Sequence, residues 1–526
     1  MMILIGGLVR VFQGLVMAAP TLLTGLFIAA ILRYYVGPAL TRRLFGGDSL
    51  RALPQSWLIG MLLPVCSIGV FPILFELRRA KVRAGAISAF ALSAPLFNPL
   101  SLLYGLTLSR PVVIISFALA SLAMVTILGL LWDRFSPSQR DDEEGEGSSP
   151  TGDMGDLSGS GMAASNDGEL IGLGRMLALV TFMARELVGE SGKLALIAVG
   201  GLGLLGAVLP YSALQSSFEM HDPLAPARMT MLAIPVYATP MTAMSQLGMM
   251  FVHSNSPGAA LALLLLGTGL NLGTLVWFTR QYGSRATATW FGSLVILVLA
   301  ASYAIDRPLV LPGAEPAGHT HAFDNYAAPF PSGTRLALTT IREAAVKPFH
   351  LFEWVGAGLG ALLALLGAAL SISGLSEGSF RRSVRPRSAF DRDIPPSVLG
   401  FTLILGLIAL SVVGCYAYYP SPSECLEELT IIRTEAFSSA RAANVDQALL
   451  WVERFEDWSR KLEVGTFLRR WEVRPYQRMQ GYLVRKKLEL LEHELEHDPY
   501  EQEEVNKAVT ALLDTDRRWR MSYSPK

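Results

Sequence analysis

LPVCSIGVFPILFELRRAK, Leu63–Lys81, starts as an apolar membrane segment and ends in a cluster of bases. Its apolar part holds Pro64, Cys66, Ser67, Gly69 and Pro72, a density of helix breakers that an ordinary spanning helix avoids. Backbone polar groups left open in hydrocarbon cost several kcal/mol each. Non-helical chain at membrane depth must therefore be enclosed by protein or line a wet cavity. The stretch reads as two short half-helices around a break, with both prolines stopping helices. Free amides and carbonyls at the break, with the positive end of a half-helix, make a coordination site at which Cys66 and Ser67 stand.

The rest of the chain supports a membrane setting. It has 526 residues, 51% hydrophobic and 17% charged, against roughly a quarter charged in soluble proteins. Uninterrupted apolar runs near the length of a bilayer span recur at 12–35, 84–107, 110–132, 192–210, 257–279, 286–304, 351–373 and 397–419. Two more apolar segments, 53–76 and 229–252, are broken by proline. The fold class is an all-α polytopic membrane protein. The first run passes well beyond a signal-peptide core and reads as a retained helix. Formal net charge is zero, which gives no sign of a nucleic-acid partner. The three cysteines, Cys66, Cys415 and Cys425, cannot build a disulfide framework.

Two parts of the chain resemble each other. Gly85, Ala86, Ala89 and Leu92 match Gly258, Ala259, Ala262 and Leu265, and thirteen residues beyond each glycine stand Asn98 and Asn271. Upstream, Pro64-Val65 corresponds to Pro235-Val236, so the second break carries Tyr237, Thr239 and Pro240. These landmarks, in one order, mark an internal duplication of the kind common in transporters. The charge bias then decides how the broken segments run. If both re-enter on the side from which they came, fourteen of sixteen loop bases lie inside, with Arg110 and Arg228 outside. Each copy then holds three crossings and one re-entrant hairpin, and the second copy runs inverted to the first.

The expected organisation is permease repeat 1 over 1–135, a disordered acidic linker over 136–170 and permease repeat 2 over 171–304. An extramembrane loop over 305–350, two additional spans over 351–419 and a helical extramembrane domain over 420–526 follow. In that last segment Trp451, Phe455, Trp458 and Leu462 form one helical stripe, and Leu488, Leu491 and Leu495 another. The expected substrate pathway is Pro64, Cys66, Ser67, Gly69, Pro72, Asn98, Pro235, Tyr237, Thr239, Pro240, Gln246 and Asn271. The repeats carry no Asp or Glu at mid-membrane depth, so no carboxylate proton relay is visible.

These residues resemble the bacterial predicted-permease family that includes organoarsenical exporters, the YraQ/ArsP-like permeases. The resemblance rests on Pro64, Cys66, Ser67, Gly69, Pro72, Arg78, Arg79, Gly85, Ala86, Pro95, Asn98 and Pro99, with Pro235, Gly258 and Asn271 in the second copy. It covers about residues 1–304 and implies a permease of the cytoplasmic membrane, with metalloid or organoarsenical export as its special case. The family often has a second cysteine where this chain has Ile68, and the second copy has none.

The resemblance leaves the tail unread. There His493-Glu494-Leu495-Glu496-His497 fits the zinc-protease helix pattern. The surrounding helix is dense in charge, one variable position is Glu496, and no third ligand stands out downstream. His319 and His321 in the long loop read as solvated. The expected activity is transport of a small molecule or ion, with no enzyme activity, no cofactor and no metal. A channel-like or structural membrane protein, and a membrane-anchored zinc metallopeptidase through His493 and His497, are the other readings of the residues. The partners expected are the lipid bilayer and, through the tail, a second copy or another protein. By the charge bias, 136–170 is cytoplasmic and the tail extracytoplasmic.

Overall fold

The computed structural model describes residues 2–47, 49, 51–108, 111–135, 173–310, 320–330, 337–346, 349, 351–373, 395–497 and 500–523. The linker expected at 136–170, Arg110, His319 and the basic run 381–392 lie outside the described residues. Among those described, the regular elements are helices, with one isolated bridge between Glu219 and Asn255.

Among the described residues, six helices are long and apolar enough to cross a membrane. They are α1 (Met2–Ile31, continued by a π-turn Leu32–Val36), α7 (Pro111–Phe135), α9 (Glu190–Val208), α14 (Ser284–Asp306), α16 (Leu351–Ser373) and α17 (Pro396–Tyr418). The shortest has 19 residues, close to the ~20 that a hydrocarbon core of ~30 Å requires. The chain is an integral membrane protein.

Four apolar stretches are broken instead. The expected breaks in 53–76 and 229–252 are present, separating α3 (Ala52–Leu62) from α4 (Val70–Arg79) and α10 (Ala225–Ala233) from α11 (Pro240–Val252). Pro64 forces Leu63 out of the helical region, to ψ 131°. Pro72, expected to stop a helix, stands at the start of one, and Pro240 opens another. Pro72 stands in the first turn of α4, where an N–H has no intrahelical acceptor. Pro240 is the first residue of α11, and the Thr242 N–H donates to Thr239 Oγ1 at 3.2 Å.

The stretches 84–107 and 257–279, read from sequence as continuous spans, are broken too. The first divides into α5 (Ala84–Ser93) and α6 (Pro99–Leu108), because Pro95 and Pro99 lack the N–H groups that would carry the helix through. The second divides into α12 (Pro257–Ala262, continued by a π-turn Leu263–Thr268) and α13 (Leu272–Tyr282), bent by 57°. There Asn271 leaves the helical region at φ −153°, ψ 170° and caps the next helix, its Oδ1 accepting from Thr274 N at 2.9 Å.

The order of long helix, broken pair, broken pair, long helix therefore occurs twice. A matched contact ties the second broken pair to the closing helix in each half. Gly85 N donates to Asp133 Oδ1 at 2.7 Å and Gly258 N to Asp306 Oδ1 at 2.9 Å, both across 48 residues. A Cβ on Gly85 would lie 2.4 Å from Gly129 O, and one on Gly258 2.5 Å from Ser302 O. Glycine at both places is the condition for backbone-to-backbone approach.

Contacts divide the chain into two units. One comprises Met1–Asn98, Phe117–Gln246 and Ser254–Ile408; the other comprises Pro99–Ser116, Leu247–His253 and Ala409–Lys526. In the first, Arg33 at the end of α1 pairs with buried Glu76 of α4 at 3.4 Å. In the second, α18 (Pro422–Arg441), α19 (Val445–Arg470), α20 (Pro475–Glu496) and α21 (Gln502–Tyr523) pack around Leu429, Phe455, Leu462, Leu488, Leu491 and Trp519. The two helical stripes point into this core, with Trp451 and Trp458 at its margin. Ser421 opens α18 with a capping box completed by Glu424.

Within the core of the second unit, Arg485 and Glu463 form an ion pair at 2.9 Å, their side chains 4% and 1% exposed. Removing one partner strands a buried charge. Glu463→Leu should therefore destabilise the tail helices of the full-length protein by about 3–5 kcal/mol, measured by denaturant titration. Lys507→Ala, which removes only an exposed pair with Glu503 and Glu504, should leave the denaturation midpoint unchanged.

Candidate substrate site at the broken helices

The break between α3 and α4 holds Cys66 in an extended stretch before the turn of Ser67 to Gly69. Its thiol is buried and meets three groups. Tyr237 O–H donates to Sγ at 3.3 Å and Gly69 N–H at 3.4 Å, while Thr21 Oγ1 of α1 lies 2.8 Å away. The Thr21 hydroxyl also reaches Ala18 O at 3.0 Å, and its single proton serves one acceptor at a time. With a thiol, Cys66 donates to Thr21 Oγ1 and Thr21 donates to Ala18 O. With a thiolate, Thr21 turns its proton to the sulfur, which then accepts three hydrogen bonds. The cradle accommodates both forms without moving a heavy atom.

Close packing sets this geometry. A Cβ on Gly25 would lie 1.8 Å from Gly69 O, and one on Gly69 would lie 2.3 Å from Thr21 O. The turn after Cys66 thus lies directly on the backbone of α1, and any side chain at Gly69 would push Cys66 away from Thr21.

One turn earlier on the same face of α1 stands a second sulfur. Thr242 Oγ1 lies 3.3 Å from Met17 Sδ and 2.8 Å from Thr239 Oγ1. When Thr239 donates to Thr242 and Thr242 to sulfur, a short hydroxyl chain ends on the thioether. Met17, Thr21 and Thr242 are half-buried, whereas Cys66 and Tyr237 are buried. The site therefore grades from partly open hydroxyls and thioether to an enclosed thiol.

Of the residues expected from sequence, the structure brings together Cys66, Gly69 and Tyr237, and links Thr239 to the same face of α1. Pro64, Pro72, Pro235 and Pro240 shape the breaks. Ser67 is buried with no hydrogen-bond partner for its Oγ. Asn271 is spent on capping α13, with its Nδ2 unpartnered, and Asn98 is half-buried where the break before α6 ends. Gln246 turns to a different neighbour, its Oε1 accepting from Tyr326 O–H at 2.6 Å.

That tyrosine belongs to a buried part of the long loop. Arg10 of α1 donates to Ala327 O at 2.9 Å, and Gln215 Nε2 lies 3.1 Å from His321 Nδ1. His321, expected to be solvated, sits 2.8 Å from Asp324. Sequence reasoning missed Met17, Thr21, Thr242 and Tyr326. For the first three the available signal was polar or thioether side chains at i, i+4 on α1 and one turn into α11; nothing local marked Tyr326.

In the tail, the His493 and His497 rings lie 6.1 Å apart. Among the described residues, no three His, Cys, Asp or Glu side chains gather to hold a metal ion.

Comparison with known proteins agrees with this architecture. No solved structure matches the chain. The UPF0718 protein YcgR of Bacillus subtilis (strain 168) is 24% identical over 293 residues, 55% of this chain and 92% of the relative. The family model described as "Predicted permease" matches residues 5–307, the part that holds both broken-helix pairs and the sulfur site. The chain belongs to the predicted-permease family, and its work is that of a membrane transporter.

Proposed function

We propose that the chain exports a soft metalloid species, with trivalent methylated arsenicals as the model substrate, across a bacterial cytoplasmic membrane. The observation that carries this reading is the pairing of two sulfurs along one face of α1. Cys66 Sγ is held by Thr21, and Met17 Sδ is held by Thr242 one turn away. A lone thiol is a poor specific ligand, but thiolate and thioether together are soft donors suited to a soft, thiophilic acceptor. Met17 thereby offers a second sulfur where the chain has Ile68 in place of a second cysteine.

The transport cycle we infer is that of an inverted repeat. Repeat 1 spans 1–135 and repeat 2 spans 171–304, and each contributes a re-entrant hairpin. The matched Gly85–Asp133 and Gly258–Asp306 anchors support the duplication. Pro64 and Pro235 are equivalent landmarks, which makes Cys66 and Tyr237 equivalent positions, and their side chains touch at 3.3 Å. Contact between equivalent positions is what a pseudo-two-fold axis through the hairpin tips requires. The pathway residues are those of the two breaks together with Met17, Thr21 and Thr242. Separating Tyr237 from Cys66 would open the site to one side. On this reading the tail over 420–526 is extracytoplasmic and the linker over 136–170 cytoplasmic.

Flux of methylarsenite in everted vesicles tests the substrate. Cys66→Ala should lower it at least about tenfold and Met17→Leu by a smaller factor, in line with the loss of one ligand. Unchanged flux in Cys66→Ala would remove the metalloid reading. Topology is tested separately with single cysteines at 48 and 80 and an impermeant thiol reagent. Both should label from the same face; opposite faces would exclude the re-entrant hairpin.

A further inference from the structure

His253 follows α11 directly and is 6% exposed. Both of its ring nitrogens face oxygen. Nδ1 lies 2.7 Å from Met249 O, and Nε2 lies 2.5 Å from Glu489 Oε1 of α20. A carbonyl oxygen only accepts hydrogen bonds, an ionised carboxylate only accepts, and a neutral imidazole has a single N–H. A neutral ring beside an ionised Glu489 therefore satisfies one oxygen and turns a lone pair on the other. Little water is available to relieve that clash in a buried site. One further proton completes both bonds, whichever of the two side chains carries it.

The surroundings keep the carboxylate available for this role. Burial raises the Glu489 carboxyl, while the hydrogen bond and charge of His253 and the Lys486 ammonium lower it, for a net position below the ordinary carboxylate range. Lys486 Nζ sits 3.5 Å from the other Glu489 oxygen. The groups that act on the Glu489 carboxyl are His253 and Lys486, and on α19, α20 and α6 the neighbouring cluster holds Arg460, Glu463, Glu456, Asp457, Arg485 and Tyr104. Arg485 and Glu463 neutralise each other at 2.9 Å. Arg460 is buried, its guanidinium 3.7 Å from where a Cβ on Gly248 would stand. Arg460 and Lys486 oppose an added positive charge, and Glu489 supplies the hydrogen-bonded counter-charge.

We propose that His253 and Glu489 form a proton-binding pair that fastens the end of α11 to the tail helix α20 when protonated and releases it when the proton leaves. The tail contributes half of the pair, Glu489, and the end of α11 the other half. α11 starts at Thr239 and Pro240 and carries Thr242 and Gln246, so a change at its far end bears on the sulfur site. That last link rests on the permease reading; the proton-dependent docking does not.

Hydrogen exchange on the full-length protein in lipid nanodiscs tests the pair from about pH 5.5 to 8.5, the range in which imidazole titrates. Rates are corrected for intrinsic pH dependence, and a peptide from the α18 core reports global opening. Exchange over 247–253 should quicken about tenfold or more as pH rises, as expected when a charged hydrogen bond is lost. His253→Gln and Glu489→Gln should each abolish that response while leaving the α18 peptide protected. A flat profile in the parent protein, or a parental response in both variants, overturns the proposal. Because the readout is docking and not flux, its failure leaves the permease reading standing. No flux of methylarsenite in the parent protein, with docking intact, would do the reverse.

Discussion

Backbone amides and carbonyls must find partners wherever water is absent, and this constraint shapes the molecule more than any single contact. Six helices meet it by being long and continuous. Four apolar stretches do not, and specific devices close several of the breaks in them. Thr239 accepts from the first turn of α11, Asn271 from the first turn of α13, and Pro64, Pro72 and Pro240 remove N–H groups that would otherwise be orphaned. Where backbone has to run against backbone, glycine allows it, at Gly69 on α1 and at Gly85 and Gly258 on the closing helices.

The sulfur site is a consequence of those breaks. Cys66 is presented to Thr21 because the Gly69 turn packs directly on α1, and it meets Tyr237 because the second break reaches the same depth. Thr21 holds one proton between Cys66 and Ala18 O, so the cradle accepts a thiol or a thiolate with equal geometry. Met17, one turn away, adds a thioether in reach of Thr242. The groups gathered there are soft and mostly neutral, as suits an apolar interior where a fixed charge would be costly.

The tail follows different rules. Its four helices bury an aliphatic and aromatic core with ionic groups inside it, chiefly Arg485 with Glu463. Such a pair contributes little net stability, yet either partner alone would be a stranded charge. His253 and Glu489 extend the same ionic arrangement to the first residue beyond α11. The carboxylate that His253 meets comes from a segment that the family match does not cover.

How much of this was legible beforehand follows from which forces are local. Hydropathy determined the membrane setting and the all-α class, because the length of an apolar run is a property of sequence alone. Proline and cysteine in Leu63–Lys81 located the first break, and the matched glycines marked the two places where a broken pair is tied to its closing helix. The additional breaks at 94–98 and 269–271 were harder to read, since Pro95 and Asn271 are tolerated in some helices and become breaks only when neighbouring backbone fills the gap. Sequence also misjudged Pro72, whose effect depends on which side of the break the helix begins. Tertiary structure alone decided that Thr21 and Met17 face the sulfur site, that Tyr326 reaches Gln246, and that His253 meets Glu489. These partners lie 45 or more residues apart, except for those on a single helix, and no local pattern encodes a contact that only packing creates.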